Sequence, residues 1–529
     1  MSQRAMRWAV LSLGICGSAA AQSTVTIDLS KSINTLTQQS VGVVPQMGDA
    51  ELFTGKNLAT LKSAGITSIM YPAGWASTSQ LYHWSTNSTM KNAGAAPESQ
   101  NVFTLPANNM GALVEAVKAG VAPIIVVNYG SNLKGQGPGE PKEAAAWVAY
   151  VNGDPSDAKV IGEDSSGNDW KTVGFWASLR ASAPLAADDG YNFLRVQQAK
   201  PLEIRLWQIG ESEDENGYYG GDHKGTADFH APYPASSKDS DHRAKDSHLS
   251  PAFYGQRLLE FAAAMKNVDS KIWIGATLAT PTIDKWADGW NEGVLKESCK
   301  AIDFVSFGWH PGALRPPDWK SLDEPSVVNA VQREYPNILK EAIYQDHQNC
   351  PAGKVPHIVL SQVAPPLWLK PDNPVVNALF AADVFATTTE SGLIAEWAQL
   401  RPQGLMQTNY DPQPAFFGLQ MLHIVAFRPG DTYVAVSGAP ESLAVHATHR
   451  QDGLVGVMLV NKDPSAPQTV KLQLKYVHLA EKGVRFEYGP AQVKANQGLA
   501  RSDLAGVADK MTVVVPPYSI VDLLLPIAK

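Results

Sequence analysis

Eight apolar runs alternate with helical stretches through most of the chain, and seven short runs of alternating apolar and polar residues follow. That order predicts an α/β protein: a (β/α)8 TIM barrel followed by an all-β sandwich domain. The early runs are apolar throughout, as in a parallel sheet covered by helices on its outer face. The later runs have one wet face, as in a sandwich.

The barrel strands are expected to start at Val41, Ile66, Pro123, Leu202, Lys271, Ile302, His357 and Leu393. Helical spacing covers residues 56–64, 113–119, 143–151, 251–265, 286–296, 327–346 and 375–390, with one more helix at 416–427. Gly65 and Gly120 serve as helix stops, Pro251 suits a first turn, and Pro336 is expected to kink or split its helix. An open doubly wound sheet is the competing arrangement, but no Gly-rich phosphate loop follows the first strand. The sandwich strands are expected at 433–436, 443–448, 454–460, 470–474, 484–488, 511–515 and 519–525. The expected division is a segment 22–40, a barrel 41–427 and a sandwich 428–529, with the early run 25–29 a candidate to join the sandwich.

Residues 1–21 read as a secretory signal: Arg4 and Arg7, an apolar run 9–15, and Ala19 and Ala21 spaced for cleavage before Gln22. The expected location is secreted or periplasmic, with no membrane anchor after cleavage. Cys299 and Cys350 are then the cysteines left, and an oxidising compartment favours their pairing over two buried thiols. A net charge of −8 argues against nucleic acid and anionic membranes as partners. Fourteen tryptophans mostly read as core, though some would stack on sugar rings in a glycan-handling protein.

One stretch carries the chemistry. The run 202–209 ends at Gly210; Glu211, Ser212, Glu213, Asp214 and Glu215 follow, then Asn216-Gly217-Tyr218-Tyr219-Gly220. Carboxylates delivered at the C-terminal end of a buried strand are how a TIM barrel presents catalytic acids. The stretch resembles the fourth-strand end of secreted α-L-arabinofuranosidase-like glycoside hydrolases of the retaining, two-glutamate clan, which reads Trp-x-Ile-Gly-Asn-Glu. Tyr71-Pro72-Ala73-Gly74, Tyr82 to Asn87, Asn128-Tyr129-Gly130-Ser131, Asn377 to Asp383 and Asn461-Lys462-Asp463-Pro464 are also similar to that family, in the family's order. The resemblance implies a retaining hydrolase acting on arabinose-containing polysaccharide. Yet the acid/base position holds Ser212, the nucleophile position Gln362 and the family's strand-two arginine position Met70; a histidine after the sixth strand is displaced to His310.

Retaining hydrolysis needs one carboxyl to protonate the leaving oxygen and another to attack the anomeric carbon. Serine and glutamine do neither. Three readings follow. In the first, the barrel binds a glycan without the family's hydrolysis, through Trp84, Asn128, Tyr129, Ser212, Trp309 and Gln362. In the second, hydrolysis uses relocated groups, Glu211 and Glu396 with His310 as acid or base. Against it, Glu211 reads as a rim or ion-paired group, Glu396 as structural, and Glu213 to Glu215 as a solvated turn. The third reading is a metal site from His223, His230, His242 and His248 with Asp222, Asp241 and Asp246. That spacing matches no tight ligand pattern and reads as a solvated insert, so no metal is expected; no phosphate loop, nicotinamide motif or Ser-His-Asp elbow appears, so no organic cofactor is expected.

Overall fold

The computed structural model describes residues 23–45, 50–72, 82–90, 102–104, 109–135, 137–215, 228–230, 247–282, 289–311, 324–365, 373–401 and 404–528. The expected signal segment, His223 and His242 with Asp222, Asp241 and Asp246, the start of the helix expected at 286 and the side chain of Glu215 lie outside the described residues.

Eight parallel strands close a barrel: β2 (Val41–Val43), β3 (Ser68–Tyr71), β7 (Ala122–Val127), β8 (Leu206–Ile209), β9 (Trp273–Thr277), β10 (Phe304–Trp309), β11 (His357–Val363) and β12 (Ile394–Trp397). Before them comes β1 (Ser23–Thr35), and a small sheet of β4 (Tyr82–His83), β5 (Ser88–Met90) and β6 (Val102–Thr104) stands outside the barrel. Alternation sends one set of side chains to the helices and the other to the axis. The axis is filled by Val44, Met70, Ile124, Val126, Leu206, Phe304 and Val359. The strand expected from Leu202 starts at Leu206. The Asn152 side chain donates to the carbonyl of Ile204 and accepts from its N–H, which satisfies that backbone away from the ladder. The helix expected at 327–346 is two, Glu324–Arg333 and Tyr335–Asn349, with Pro336 in the first turn of the second, where its missing N–H costs nothing.

The remaining strands are β13 (Thr432–Ser437), β14 (Leu443–His449), β15 (Leu454–Asn461), β16 (Gln468–Lys475), β17 (Lys482–Tyr488), β18 (Ala500–Ala505), β19 (Lys510–Val515) and β20 (Ser519–Pro526). With β1 they form one nine-stranded sheet in the order β18-β17-β20-β15-β14-β13-β1-β16-β19. The sheet folds over itself around Val25, Ile27, Val457, Leu472, Val513 and Leu523, and so makes a sandwich core. The early run sits inside this sheet, between β13 and β16. The sequence reading does not contain β18, a mostly exposed edge strand whose residues carry no apolar alternation. It also omits the helix Val173–Ala181.

Helix Val375–Glu390 is buried nearly all round because it lies between barrel and sandwich. Its Asp383 meets His446 of β14 (3.0 Å), Lys462 just after β15 (2.5 Å) and Gln332, while His446 also meets Glu390 (2.8 Å). Cys299 and Cys350 are bridged, with Cα atoms 5.4 Å apart, and tie the helix Trp290–Ser298 to Tyr335–Asn349.

Candidate functional site

The tip of β8 is turned by two left-handed residues on either side of Glu211: Gly210 (φ +71°) and Ser212 (φ +56°). Gly210 is required twice over, since a Cβ there would also lie 2.0 Å from the Glu213 carboxyl. Serine in this region costs about 1–2 kcal/mol, the kind of local strain that clusters at functional sites. Hydrogen bonds lock the tip. The Gly210 carbonyl accepts from Gln208 Nε2 (2.8 Å) and Thr277 Oγ1 (3.3 Å), and the Tyr254 hydroxyl donates to the Ile209 carbonyl (2.6 Å).

The tip of β11 is re-aimed by a bulge. Phe307 pairs with Leu360 but Gly308 pairs with Gln362, so Ser361 is the extra residue. Strict alternation from the axial Val359 would send Gln362 outward, to the helices. The bulge turns it to the mouth instead, where its Nε2 donates to Glu211 Oε1 at 2.5 Å. Glu211 is buried; Ser212 and Gln362 are half-buried. Glu211 is therefore not the exposed rim group that one reading of its sequence context suggests. His310 stands one step above Gln362, beside the β11 tip. Its Nδ1 donates to the Ala364 carbonyl (2.9 Å), and burial lowers its pKa against the small opposing effect of that bond. The ring is thus neutral near pH 7, with Nδ1 carrying the proton.

Other residues expected at the site go elsewhere. Trp84 is in the core: its ring stacks on Trp147 (5.8 Å), lies edge-on to Trp176 (5.0 Å), and its Nε1 donates to the Glu143 carbonyl. Trp309 points outward from β10, against Tyr335 and Phe380, with Nε1 donating to Glu334. Neither leaves a face for a sugar; both follow the outward register of their neighbours. Asn128 is buried and spent on its own loop, with Nδ2 donating to the Tyr82 carbonyl and Ser131 Oγ and Oδ1 accepting from Ser131 N–H. Tyr129 is packed between His230 (4.2 Å, stacked) and Tyr254 (5.0 Å, edge-on). Burial, with Asp228 and Glu213 nearby, raises its hydroxyl well above the usual range. Glu213 turns back over Gly210 toward these tyrosines, away from the solvated turn expected of it.

Glu396 is the largest departure. It points to the barrel axis, wholly buried, and Oε1 accepts from Ser68 Oγ at 2.7 Å. Its carboxyl fills the space that Gly42 leaves: a Cβ on Gly42 would lie 2.0 Å from it. Burial raises it well above its ordinary value, against the opposing Ser68 bond, and so favours the uncharged form. Met70 is equally sealed, in the axial apolar cluster. His230, from the polar loop, pairs with Asp228 (2.7 Å) and accepts from Arg257 (3.2 Å). Sequence reasoning missed Tyr254 as the lock of the β8 tip; it reads only as an aromatic on an amphipathic helix. It also missed the buried set His83, Glu143 and Ser131. His83 Nδ1 lies 3.1 Å from both Glu143 oxygens and Nε2 3.4 Å from Ser131 Oγ, which anchors β4 to the barrel.

The fold so built is shared with solved glycoside hydrolases. An alpha-L-arabinofuranosidase from Thermotoga maritima, seen in an arabinose complex, matches with a TM-score of 0.63 and 15% identity, over 95% of this chain and 100% of that one. The GH51 arabinofuranosidase from Xanthomonas axonopodis pv. citri matches with a TM-score of 0.63 and 16% identity, over 95% and 100%. A GH family 44 endoglucanase from Clostridium thermocellum matches with a TM-score of 0.58 and 12% identity, over 96% and 100%. No protein-family model and no curated protein matches the sequence. At these identities the likeness is one of fold: a closed parallel barrel and an antiparallel sheet domain in the same chain order.

Proposed function

We propose that this chain is a secreted glycan-binding protein that uses the mouth of a glycoside-hydrolase-like barrel and does not perform retaining hydrolysis. The Gln362–Glu211 hydrogen bond carries this reading. It ties the amide at the nucleophile position to the carboxylate on the facing strand tip, next to Ser212 at the acid/base position. Both retaining and inverting hydrolysis need two carboxyls flanking one bond. Among the described residues, Glu211 is the carboxyl turned to Gln362, while Glu396 is sealed below against Ser68 and Glu213 faces Tyr129 and Tyr254. A relocated Glu211–Glu396 pair therefore lacks a second acid that substrate can reach. The half-buried Ser212, Gln362 and His310 suit hydrogen bonding to sugar hydroxyls. The Cys299–Cys350 bridge agrees with export to an oxidising compartment.

The test is a thermal-shift screen of the mature chain against arabinan, arabinoxylan and β-glucan fragments, with reducing ends assayed in the same wells. Stabilisation without new reducing ends is expected. New reducing ends that Glu211→Gln abolishes would overturn the proposal, and so would the absence of any glycan-dependent shift.

A further inference from the structure

The strand that delivers Glu211 is held from both sides at its end. On the β7 side, the Gly210 N–H donates to the Val127 carbonyl (3.0 Å). On the β9 side, the Trp273 N–H donates to the Arg205 carbonyl (2.7 Å), and the register from Leu206–Trp273 to Ile209–Ala276 carries such rungs forward two residues at a time. The last rung joins the Ile209 carbonyl and the Thr277 N–H. The Tyr254 hydroxyl is built into it, donating to the Ile209 carbonyl (2.6 Å) and accepting from the Thr277 N–H (3.0 Å). The Thr277 carbonyl accepts in turn from Trp290 Nε1 (3.1 Å). Parallel strands complete their rungs from backbone alone, so barrel closure does not call for a hydroxyl at this point.

Tyr254 and Trp290 act as one unit. Their rings are buried and stacked, with centroids 5.4 Å apart. They come from the first turns of helices Pro251–Val268 and Trp290–Ser298, which pack closely: a Cβ on Gly293 would lie 2.8 Å from Pro251, and one on Gly255 2.7 Å from Glu297. The Ser250 hydroxyl caps the first of these helices by accepting from the Phe253 N–H (3.2 Å), which fixes where Tyr254 enters. Burial, with Glu213 nearby, raises the Tyr254 hydroxyl well above its usual range, so it keeps the proton it gives to Ile209. Beyond Ile209 the chain turns through left-handed Gly210 and Ser212, and Glu211 stands two residues from the carbonyl that Tyr254 holds. Gln362 meets Glu211 from the tip of β11.

We infer that Tyr254, seated by Trp290, is a positioning residue for the ligand: its hydroxyl fixes the end of β8 and so places Glu211 and Ser212 with Gln362 as one glycan site. Both rings are buried beneath the tip and act through the backbone. A shift at the Ile209 carbonyl passes along a short hook to Glu211, and hydrogen bonds to sugar hydroxyls weaken steeply once their angles are spoiled. The inference rests on the glycan-binding reading and names what sets the geometry of its site.

Tyr254→Phe, which deletes the hydroxyl alone, tests it in two readouts. Isothermal titration of the mature chain with arabinopentaose and xylopentaose should show at least one pentamer bound by the unaltered protein and about tenfold more weakly by Tyr254→Phe, the size of one well-placed hydrogen bond lost. In the free protein labelled with 15N-glutamine, the Gln362 side-chain amide signal, assigned by its loss in Gln362→Ala, should shift in Tyr254→Phe. Trp290→Phe keeps a stacked ring but loses Nε1, and should move both readouts the same way. Ser68→Ala also deletes one buried hydroxyl, below the mouth, and should move neither. Unchanged binding or an unmoved Gln362 signal in both Tyr254→Phe and Trp290→Phe overturns the inference and leaves glycan binding standing. Equal weakening by Ser68→Ala also overturns it, since the effect would then be one of general stability. If the unaltered protein binds neither pentamer, the glycan-binding reading fails, and this inference with it.

Discussion

Glu396 in the barrel axis and Asp383 at the junction with the sandwich are both wholly buried acids, and their surroundings shift them in opposite directions. Glu396 has one hydroxyl partner, Ser68, and burial raises it well above its ordinary value. Asp383 is pushed the same way by burial. There, Lys462 and then His446 outweigh the push and hold it well below the usual carboxylate range. His446 shows the reciprocal effect: burial lowers it, but Glu390 and Asp383 together push it up to about 10. Burial is common to both regions, and the partners decide the charge. In the mouth, Glu211 accepts an amide N–H from Gln362.

The largest break in this comparison is expected from Asp383→Asn. Removing one member of a buried charge network typically costs ~3–5 kcal/mol, because the remaining charges stay buried. Here Lys462 would be left with the neutral Gln332 and His446 with Glu390, and urea unfolding should show the loss. Glu396→Gln should do the reverse. The folded protein holds a proton on Glu396 that the unfolded chain releases above the ordinary value of 4.5, so wild-type stability falls as pH rises from there to the raised folded value. The glutamine variant escapes that fall. It should match wild type near pH 4.5 and gain on it by ~1.4 kcal/mol per pH unit above, for as long as the native carboxyl stays protonated. Identical profiles for the two proteins would show that Glu396 is not held neutral.

His446 sharpens the same contrast. Its stabilisation is full below the ordinary value of 6.5 and is lost as pH rises through about 10. Asp383 contributes above its ordinary value of 3.8 and loses that contribution as pH falls toward its depressed folded value. Melting temperature should therefore peak in mild acid, and the gap between wild type and His446→Gln should close between pH 6.5 and 10. The smallest effect is expected from Ser68→Ala, which removes the one hydrogen bond on Glu396 at a cost of about 1 kcal/mol. A cost several times larger would mean that Ser68 holds a carboxylate.

Eight apolar runs were enough to specify a closed barrel, because a strand buried on both faces leaves no choice of side chain on either. Pro336 marked its helix break for an equally local reason: it has no N–H to give the turn before it. The expected site fared differently. Trp84 and Trp309 look like sugar platforms in a list of aromatic residues, and both are core once register assigns their faces. Glu396 sits at a strand end like a catalytic acid, but Gly42 on the next strand opens an axial space that takes it in. His446 and Lys462 carry no sign in sequence that they share a carboxylate on a distant helix.

What the sequence determined by itself was the order of the barrel strands and of most sandwich strands, the two cysteines available to pair, and the presence of non-acidic side chains at Ser212 and Gln362. These depend on local patterning and residue identity. What tertiary structure decided was direction and company. The bulge at Ser361 and the left-handed pair Gly210 and Ser212 brought Gln362 to Glu211, and barrel closure sealed Glu396 away. A side chain's chemistry depends on what stands across the barrel from it, and strands far apart in sequence supply that neighbour.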